Sequence, residues 1–255
     1  MLRLVSHQVI FTNKAFWRNP VAAFFTFAFP LMFLVLFGVL FSGGTSILAS
    51  GREVPTTTFF VPAIAAFSVV NACYTSIAMS VTFARDNGVL KRVRGTPLPS
   101  SAYFAGRVLH ATFVALILVG ITIAFGAFFY GVSISMSTLP SFVVVLAVGA
   151  ATFSSLALAI VPAIPNAHAA PAVVNGSILP LLFISNVFIP LHNPPGWLDA
   201  FSRAFPVRHF ADALIAAFLP HSSSPALRIG DLAFVAAWGL LGVILAVRFF
   251  DWEPR

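Results

Sequence analysis

Arg85-Asp86-Asn87-Gly88-Val89-Leu90-Lys91-Arg92-Val93-Arg94-Gly95-Thr96-Pro97 is a basic stretch set between two long apolar runs. Five of the chain's 14 Lys and Arg residues fall between Arg85 and Arg107. In a membrane protein such a cluster fixes orientation, because Lys and Arg stay on the cytoplasmic side. It also presents a cytoplasmic surface that a soluble partner can grip.

Composition sets the solvent. Of 255 residues, 59% are hydrophobic and only 8% are charged, against about 25% charged in an ordinary soluble domain. No soluble core absorbs that balance, so most of the chain faces lipid or other apolar helices. The 29 Phe residues suit lipid-facing helix surfaces. The net charge of +7 flanks the apolar runs and forms no soluble basic face. It therefore fits anionic headgroups, so membrane lipids are expected partners and nucleic acid is not. A lone cysteine, Cys73, lies within an apolar run, and the six His show no metal-ligand spacing. No disulfide framework or metal site is expected.

A span needs about 20 apolar residues. Six segments qualify, at roughly 20–41, 57–82, 102–130, 139–161, 171–190 and 230–250. Residues 1–19 precede them with an apolar stripe (Leu2, Val5, Val9, Phe16) opposite Arg3, His7, Gln8, Asn13, Lys14 and Arg18. This predicts an amphipathic interfacial helix with Trp17 at headgroup level. The first long apolar run is long enough to span, and no Ala-x-Ala site follows it, so it reads as a retained helix. The expected fold is all-α: one polytopic transmembrane domain over 1–255 with six membrane-spanning helices. With the N-terminus inside, inner segments hold ten Lys and Arg and outer segments four. That places both termini in the cytoplasm of a multi-pass protein. Small residues at Ala147, Ala151, Ser155 and Ala159 predict a tight packing face on the fourth span.

The connection 191–229 is more than a loop. Trp197, Leu198, Phe201 and Phe205 follow helical spacing, Pro206 breaks it, and Val207, Phe210, Leu214 and Phe218 form a second stripe. Each half is too short to cross a bilayer, which predicts a re-entrant helical hairpin before the last span, or two interfacial helices lying flat. Arg208 and Asp212 stand four apart and can pair.

The absences narrow the function. There is no Gly-x-x-x-x-Gly-Lys-Ser/Thr phosphate loop, no Gly-x-Ser-x-Gly and no His-Glu-x-x-His. No span carries a carboxylate near its middle, where ion-driven carriers usually place one. Any uphill movement therefore draws its energy from another subunit. Catalytic residues are not expected.

Three stretches resemble the membrane subunit of type-2 ABC exporters, in the branch of daunorubicin/doxorubicin-resistance permeases. Phe60-Val61-Pro62-Ala63-Ile64 opens the second span as that family's Pro-Gly-Ile stretch does. The 85–98 stretch is similar to its inner loop, whose core is Arg-Glu-x-Gly-Thr-Leu, then basic residues, then Thr-Pro. Leu179–Leu191, followed by Pro195-Gly196-Trp197-Leu198, is similar to its fifth span and outer hairpin. This chain departs at Ala63 for Gly, Asp86-Asn87 for a Glu-rich pair, Val89 for Thr, and Asn186 for Gly.

The resemblance implies a permease for drug efflux, or multidrug resistance, in the cytoplasmic membrane. It would work with two copies of a cytoplasmic ABC ATPase and a second permease chain, the same or paralogous. ATP and Mg would be bound by the partner ATPase and no cofactor by this chain. It also implies that Gly88 to Pro99 forms a helix that docks into the ATPase. The physics fits: Gly88 and Pro97 bracket a short helix, Leu90 and Val93 offer apolar contact, and Lys91, Arg92 and Arg94 offer charge. The cluster could also serve topology and headgroup binding alone. Asn71, Tyr74 and Thr75 in the second span, with Asn175, Ser177, Ser185 and Asn186 in the fifth, are candidates to line a substrate path or to bond between helices. Scarce charge and abundant Phe suggest a hydrophobic or amphipathic cargo, drug-like or lipid. A lipid-linked glycan is the rival cargo. A lipid-modifying membrane enzyme or a scaffold is the rival class.

Overall fold

The computed structural model describes residues 1–41, 43–47, 53–132, 136–185, 187–188, 195–219 and 227–250. Its helices are α1 (Leu2–Trp17), α2 (Pro20–Leu40), α3 (Thr56–Val70), α4 (Ser76–Asp86), α5 (Val89–Arg94), α6 (Ser100–Tyr130), α7 (Leu139–Ile160), α8 (Ala170–Phe183), α9 (Gly196–Arg203), α10 (Pro206–Phe218) and α11 (Ile229–Phe249). A π-helical turn, Asn71–Thr75, joins α3 to α4, so the helix runs unbroken from Thr56 to Asp86.

Among the described residues five helices are long and apolar enough to cross a membrane: 20–40, 56–86, 100–130, 139–163 and 229–249. The fold is that of a polytopic helical membrane protein. Among the described residues of the segment expected to span at 171–190, the helix covers Ala170–Phe183. At 1.5 Å per residue, those 14 residues reach about 21 Å, short of a hydrocarbon core of about 30 Å. Pro180 lacks the N–H that would continue the ladder, and Ile184 leaves the helix after donating to the Pro180 carbonyl. Between α2 and α3 lies a two-stranded antiparallel ribbon, Thr45–Ile47 paired with Glu53–Pro55.

The second span is the centre of the molecule. Every residue from Phe59 to Val70 is buried, against few in α2 and α11. It lies among α2, α6, α7 and α10. The Phe residues divide between two solvents. Phe24, Phe25, Phe128 and Phe129 face outward as expected. Phe60, Phe67 and Phe188 are buried, and with Phe33 and Phe37 they build an aromatic cluster with ring centroids 4.9–6.0 Å apart. Such offset and edge contacts add to area burial.

The packing face of α7 keeps Ser155 of the expected stripe but departs from it at Ala147 and Ala151. Ala147 and Ala151 are exposed, while Thr152 and Ser155 are buried. The small residues that permit close approach lie on α11. A Cβ at Gly242 would sit 2.9 Å from the Leu156 nitrogen, and one at Gly239 would sit 2.7 Å from the Thr152 hydroxyl. The hydroxyls cross the seam: Thr152 donates to the Val235 carbonyl at 3.1 Å and Ser155 to the Gly239 carbonyl at 2.9 Å. An Ala-rich helix offers several small-residue rows, and these hydroxyls choose among them by bonding to the partner backbone. Gly242→Leu is therefore expected to destabilise by at least about 1–3 kcal/mol, the cost of overpacking. Gly120→Ala, at a position with nothing within 4 Å, should be neutral or stabilising in the same detergent-unfolding measurement.

Candidate functional site

The basic stretch is built by a helix stop and a reversal. At the end of α4, Asn87 donates to the Phe83 carbonyl and Gly88 to the Arg85 carbonyl. Gly88 has φ 69, the left-handed region that glycine enters without strain. The chain turns there into α5, whose Arg92 N–H returns to the Gly88 carbonyl. Thr96 closes the far end, its hydroxyl donating to the Val93 carbonyl at 2.7 Å. Pro97 and Pro99 then lead into α6, with Pro99 as its N-cap.

The faces of α5 are unequal. Lys91, Arg92 and Arg94 are exposed, and Val89 is exposed beside them. Leu90 is fully buried in the chain's own core, and Val93 is half-buried against it. Leu90 therefore anchors α5 to the bundle and is not free to fill a pocket on another protein, which corrects the role expected for it. Val89 is the apolar side chain left outward.

Arg85 also differs from its expected role as a surface cation. It is 1% exposed. Its Nη1 donates to the Val161 carbonyl at 2.9 Å and its Nη2 to the Ile164 carbonyl at 2.5 Å. Its neighbour Asp86 accepts from the Ala167 N–H at 2.5 Å. These two residues tie the basic stretch to the turn between α7 and α8. The signal lay in that turn, Pro162-Ala163-Ile164-Pro165. Two prolines remove donors, so nearby carbonyls need partners from elsewhere.

The candidate path residues are partly brought together. Tyr74 and Ser177 share a hydrogen bond of 2.7 Å, which sets α8 beside the π turn. Asn71, Thr75 and Asn175 are half-buried, and Ser185 is buried. Asn186 lies outside the described residues. π turns inside α-helices recur at functional sites.

At the opposite end of the bundle, α9 and α10 form the expected hairpin. Trp197 and Phe201 of α9 are exposed, whereas Pro206 starts an α10 that is mostly buried. Phe210 packs on Phe153 and fills the space over Gly149. The second limb is thus inserted among α3, α7 and α11 and does not lie flat. Arg208, 6% exposed, pairs with Asp199 at 3.0 Å and donates to the Ser202 hydroxyl at 2.5 Å. Asp212, the expected partner, is more distant at 3.8 Å. Asp231 at the start of α11 meets Arg228 at 2.8 Å and His209 at 2.6 Å.

The family model described as ABC-2 type transporter matches residues 8–219, from within α1 to the end of α10. The chain belongs to the ABC-2 type transporter family. Among its relatives is "Daunorubicin resistance ABC transporter permease protein DrrB1" of Streptomyces coeruleorubidus, 27% identical over 242 residues, covering 92% of this chain and 82% of the relative. Another is "Probable multidrug ABC transporter permease YbhR" of Escherichia coli (strain K12), 25% identical over 183 residues, covering 72% of this chain and 48% of that relative. The matched region of this ABC-2 family member includes the basic stretch, the Arg85–Asp86 tie and both limbs of the hairpin.

Proposed function

We propose that this chain is the membrane subunit of an ATP-driven exporter that moves a hydrophobic or amphipathic compound outward, coupled to a separate ATPase. The observation that carries the reading is α5: a short helix locked by buried Leu90 and left-handed Gly88, with Lys91, Arg92, Arg94 and Val89 facing out. A rigid, basic, partly apolar knob suits an acidic groove on a soluble partner, since complementary charge steers encounter and fixes register. Membership of the ABC-2 family and the drug-resistance relatives support an ATPase as that partner. The Arg85 and Asp86 bonds give the knob a route inward, because movement of α5 carries α4 and pulls on the α7–α8 turn.

The charge count supports a cell-membrane protein with both termini and α5 on the cytoplasmic side. Asn71, Thr75 and Asn175 leave a polar, half-buried edge that lipid would not satisfy. A second permease chain across that edge, with two ATPase copies below, would enclose a path between the second spans. ATP and Mg belong on the ATPase.

The test is reconstitution of the chain with its cognate ATPase in vesicles. Replacing Lys91, Arg92 and Arg94 by Glu should lower ATP-driven transport and ATPase association at least tenfold, about 1.4 kcal/mol or more. The thermal melt should stay unchanged, because these side chains are exposed. Undiminished transport by the charge-reversed chain, or ATP hydrolysis by the chain alone, would overturn the reading.

A further inference from the structure

A cavity of about 600 Å³ lies where α1, α4, α5 and α6 meet. Its size is within the range of small-molecule sites. Most of its wall is apolar, with Phe11 and Phe16 of α1, Ile77 of α4 and Val114 of α6 among the lining. The α1 wall is fixed in place by a close backbone approach: a Cβ at Gly106 would sit 2.4 Å from the Cβ of Gln8.

One end of the cavity is polar and cationic. Arg107 lines it, its Nε donating to the Tyr103 hydroxyl at 2.8 Å and its Nη1 to the Ser80 hydroxyl at 2.9 Å. Both partners are neutral, so the guanidinium is oriented without being neutralised. Among the described residues no carboxylate lies within 4.0 Å of it; the ion pairs there use Asp86, Asp199, Asp212 and Asp231 on other arginines or on His209. One turn further along α6, His110 lines the same cavity. It is 7% exposed, and its Nε2 is buried with no hydrogen-bond partner among the described residues. A half-buried cation lacking a counter-ion and a buried ring nitrogen lacking a partner both call for a ligand, since unpaired polar groups are costly at low dielectric.

We infer that this cavity binds an amphiphile with an anionic head: the phosphate or carboxylate sits on Arg107 and His110, and the acyl or aromatic body lies against Phe11, Phe16 and Val114. A guanidinium matches the planar or tetrahedral oxyanion with paired N–H donors. Arg107 lies seven residues into α6, about 10 Å along the helix. That is headgroup depth if α6 enters the bilayer near Ser100, so an amphiphile in one leaflet can enter headgroup first. Val93, half-buried behind the docking face, lines the cavity together with Val89, so its occupant touches the helix proposed to dock the ATPase. This inference deepens that reading and shares its orientation.

The experiment measures binding to the purified full chain in a neutral maltoside detergent, with tritiated oleoyl lysophosphatidate as probe. Saturable binding is expected, displaced poorly by uncharged monoolein and by cationic oleylamine. Arg107→Gln should weaken binding at least tenfold, and Arg107→Lys should restore part of it. Ala15→Phe, which narrows the apolar wall with Arg107 intact, should weaken it too. Gel-filtration profiles establish that each variant is folded. Equal binding by Arg107→Gln, or equal displacement by monoolein, overturns the inference. Vesicles containing the chain and its ATPase then separate two sources of the ligand. ATP-driven movement of the label identifies cargo, and label that stays bound through turnover identifies a resident lipid; both support the site. Binding that persists while no compound is transported counts against the exporter reading and leaves the site standing.

Discussion

Arg85→Ala is expected to lower the unfolding free energy by about 3–5 kcal/mol. Arg85 is fully buried and donates to two carbonyls, Val161 and Ile164, in a turn whose prolines leave few alternative donors. A hydrogen bond to a charged group contributes about 1.5–3 kcal/mol; its loss takes the side-chain donor from the Ile164 carbonyl, while the Val161 carbonyl keeps the Ile164 N–H at 3.1 Å. The missing side chain would add a cavity penalty. The competing effect is that alanine removes a buried cation, which offsets part of the loss. Asp86 lies 3.9 Å from Arg85 and bonds the Ala167 N–H. It would keep that bond, so the turn would loosen at 161–164 before 167. Arg85→Lys should recover less than half of the loss, because one ammonium on a shorter stem does not reach both carbonyls in fork geometry. Detergent-induced unfolding followed by tryptophan fluorescence measures the difference. A loss under about 1 kcal/mol would show that water or lipid replaces both bonds. In the reconstituted exporter the same variant should bind the ATPase through an intact α5, yet transport poorly.

The legible part of this molecule was what hydrophobic length and charge can encode. Runs of apolar residues marked the long spans, and Gly88 with Thr96-Pro97 marked α5, because a left-handed turn and a missing N–H are properties of single residues. Pro206 announced the break between α9 and α10 for the same reason. What stayed hidden was the side to which each residue turns. Leu90 and Val89 are adjacent and both apolar, but only packing against the bundle decides that Leu90 goes in. Arg85 and Arg92 are equivalent as letters, and only the donor-poor α7–α8 turn makes one of them internal. Ala147 and Ala151 looked like a seam because small residues permit close approach. The actual seam keeps Ser155 of that row and adds Thr152, and both hydroxyls find carbonyls on α11. The described helix α8 ends at Phe183 while the apolar run continues, because hydropathy does not record where backbone hydrogen bonding stops. The cavity around Arg107 was out of reach entirely, because it requires α1 to fold back against α6.

Asp199→Ala carries the second large expectation, about 2–3 kcal/mol of lost stability. Arg208 has a side chain 8% exposed and depends on Asp199 at 3.0 Å, the Ser202 hydroxyl, and Asp212 at 3.8 Å. Removing one partner of a buried pair typically costs about 3–5 kcal/mol, mostly for the charge left behind. Asp199 is 32% exposed, so water screens part of the attraction and the lower figure applies. The second bond of Asp199, to Arg203 at 2.8 Å, is a surface pair whose arginine is 61% exposed. Arg203→Ala should therefore cost less than about 1 kcal/mol, which isolates the buried arm. The discriminating variant is the double change Asp199→Ala with Arg208→Met. An apolar side chain of similar length fills the space without an unpaired charge, and replacing a buried pair this way is often neutral. The double variant should thus be more stable than Asp199→Ala alone, a sign reversal that simple contact loss does not produce. If the two changes merely add, the cost of Asp199→Ala lies in the packing of α9 and not in the charge on Arg208. The same variants test the hairpin's part in the proposed transport. α10 is inserted beside the second span and tied to α11 through His209 and Asp231. Under the proposed exporter function, loosening α9 alone should therefore change the rate of cargo release while leaving the proposed ATPase contact at α5 intact.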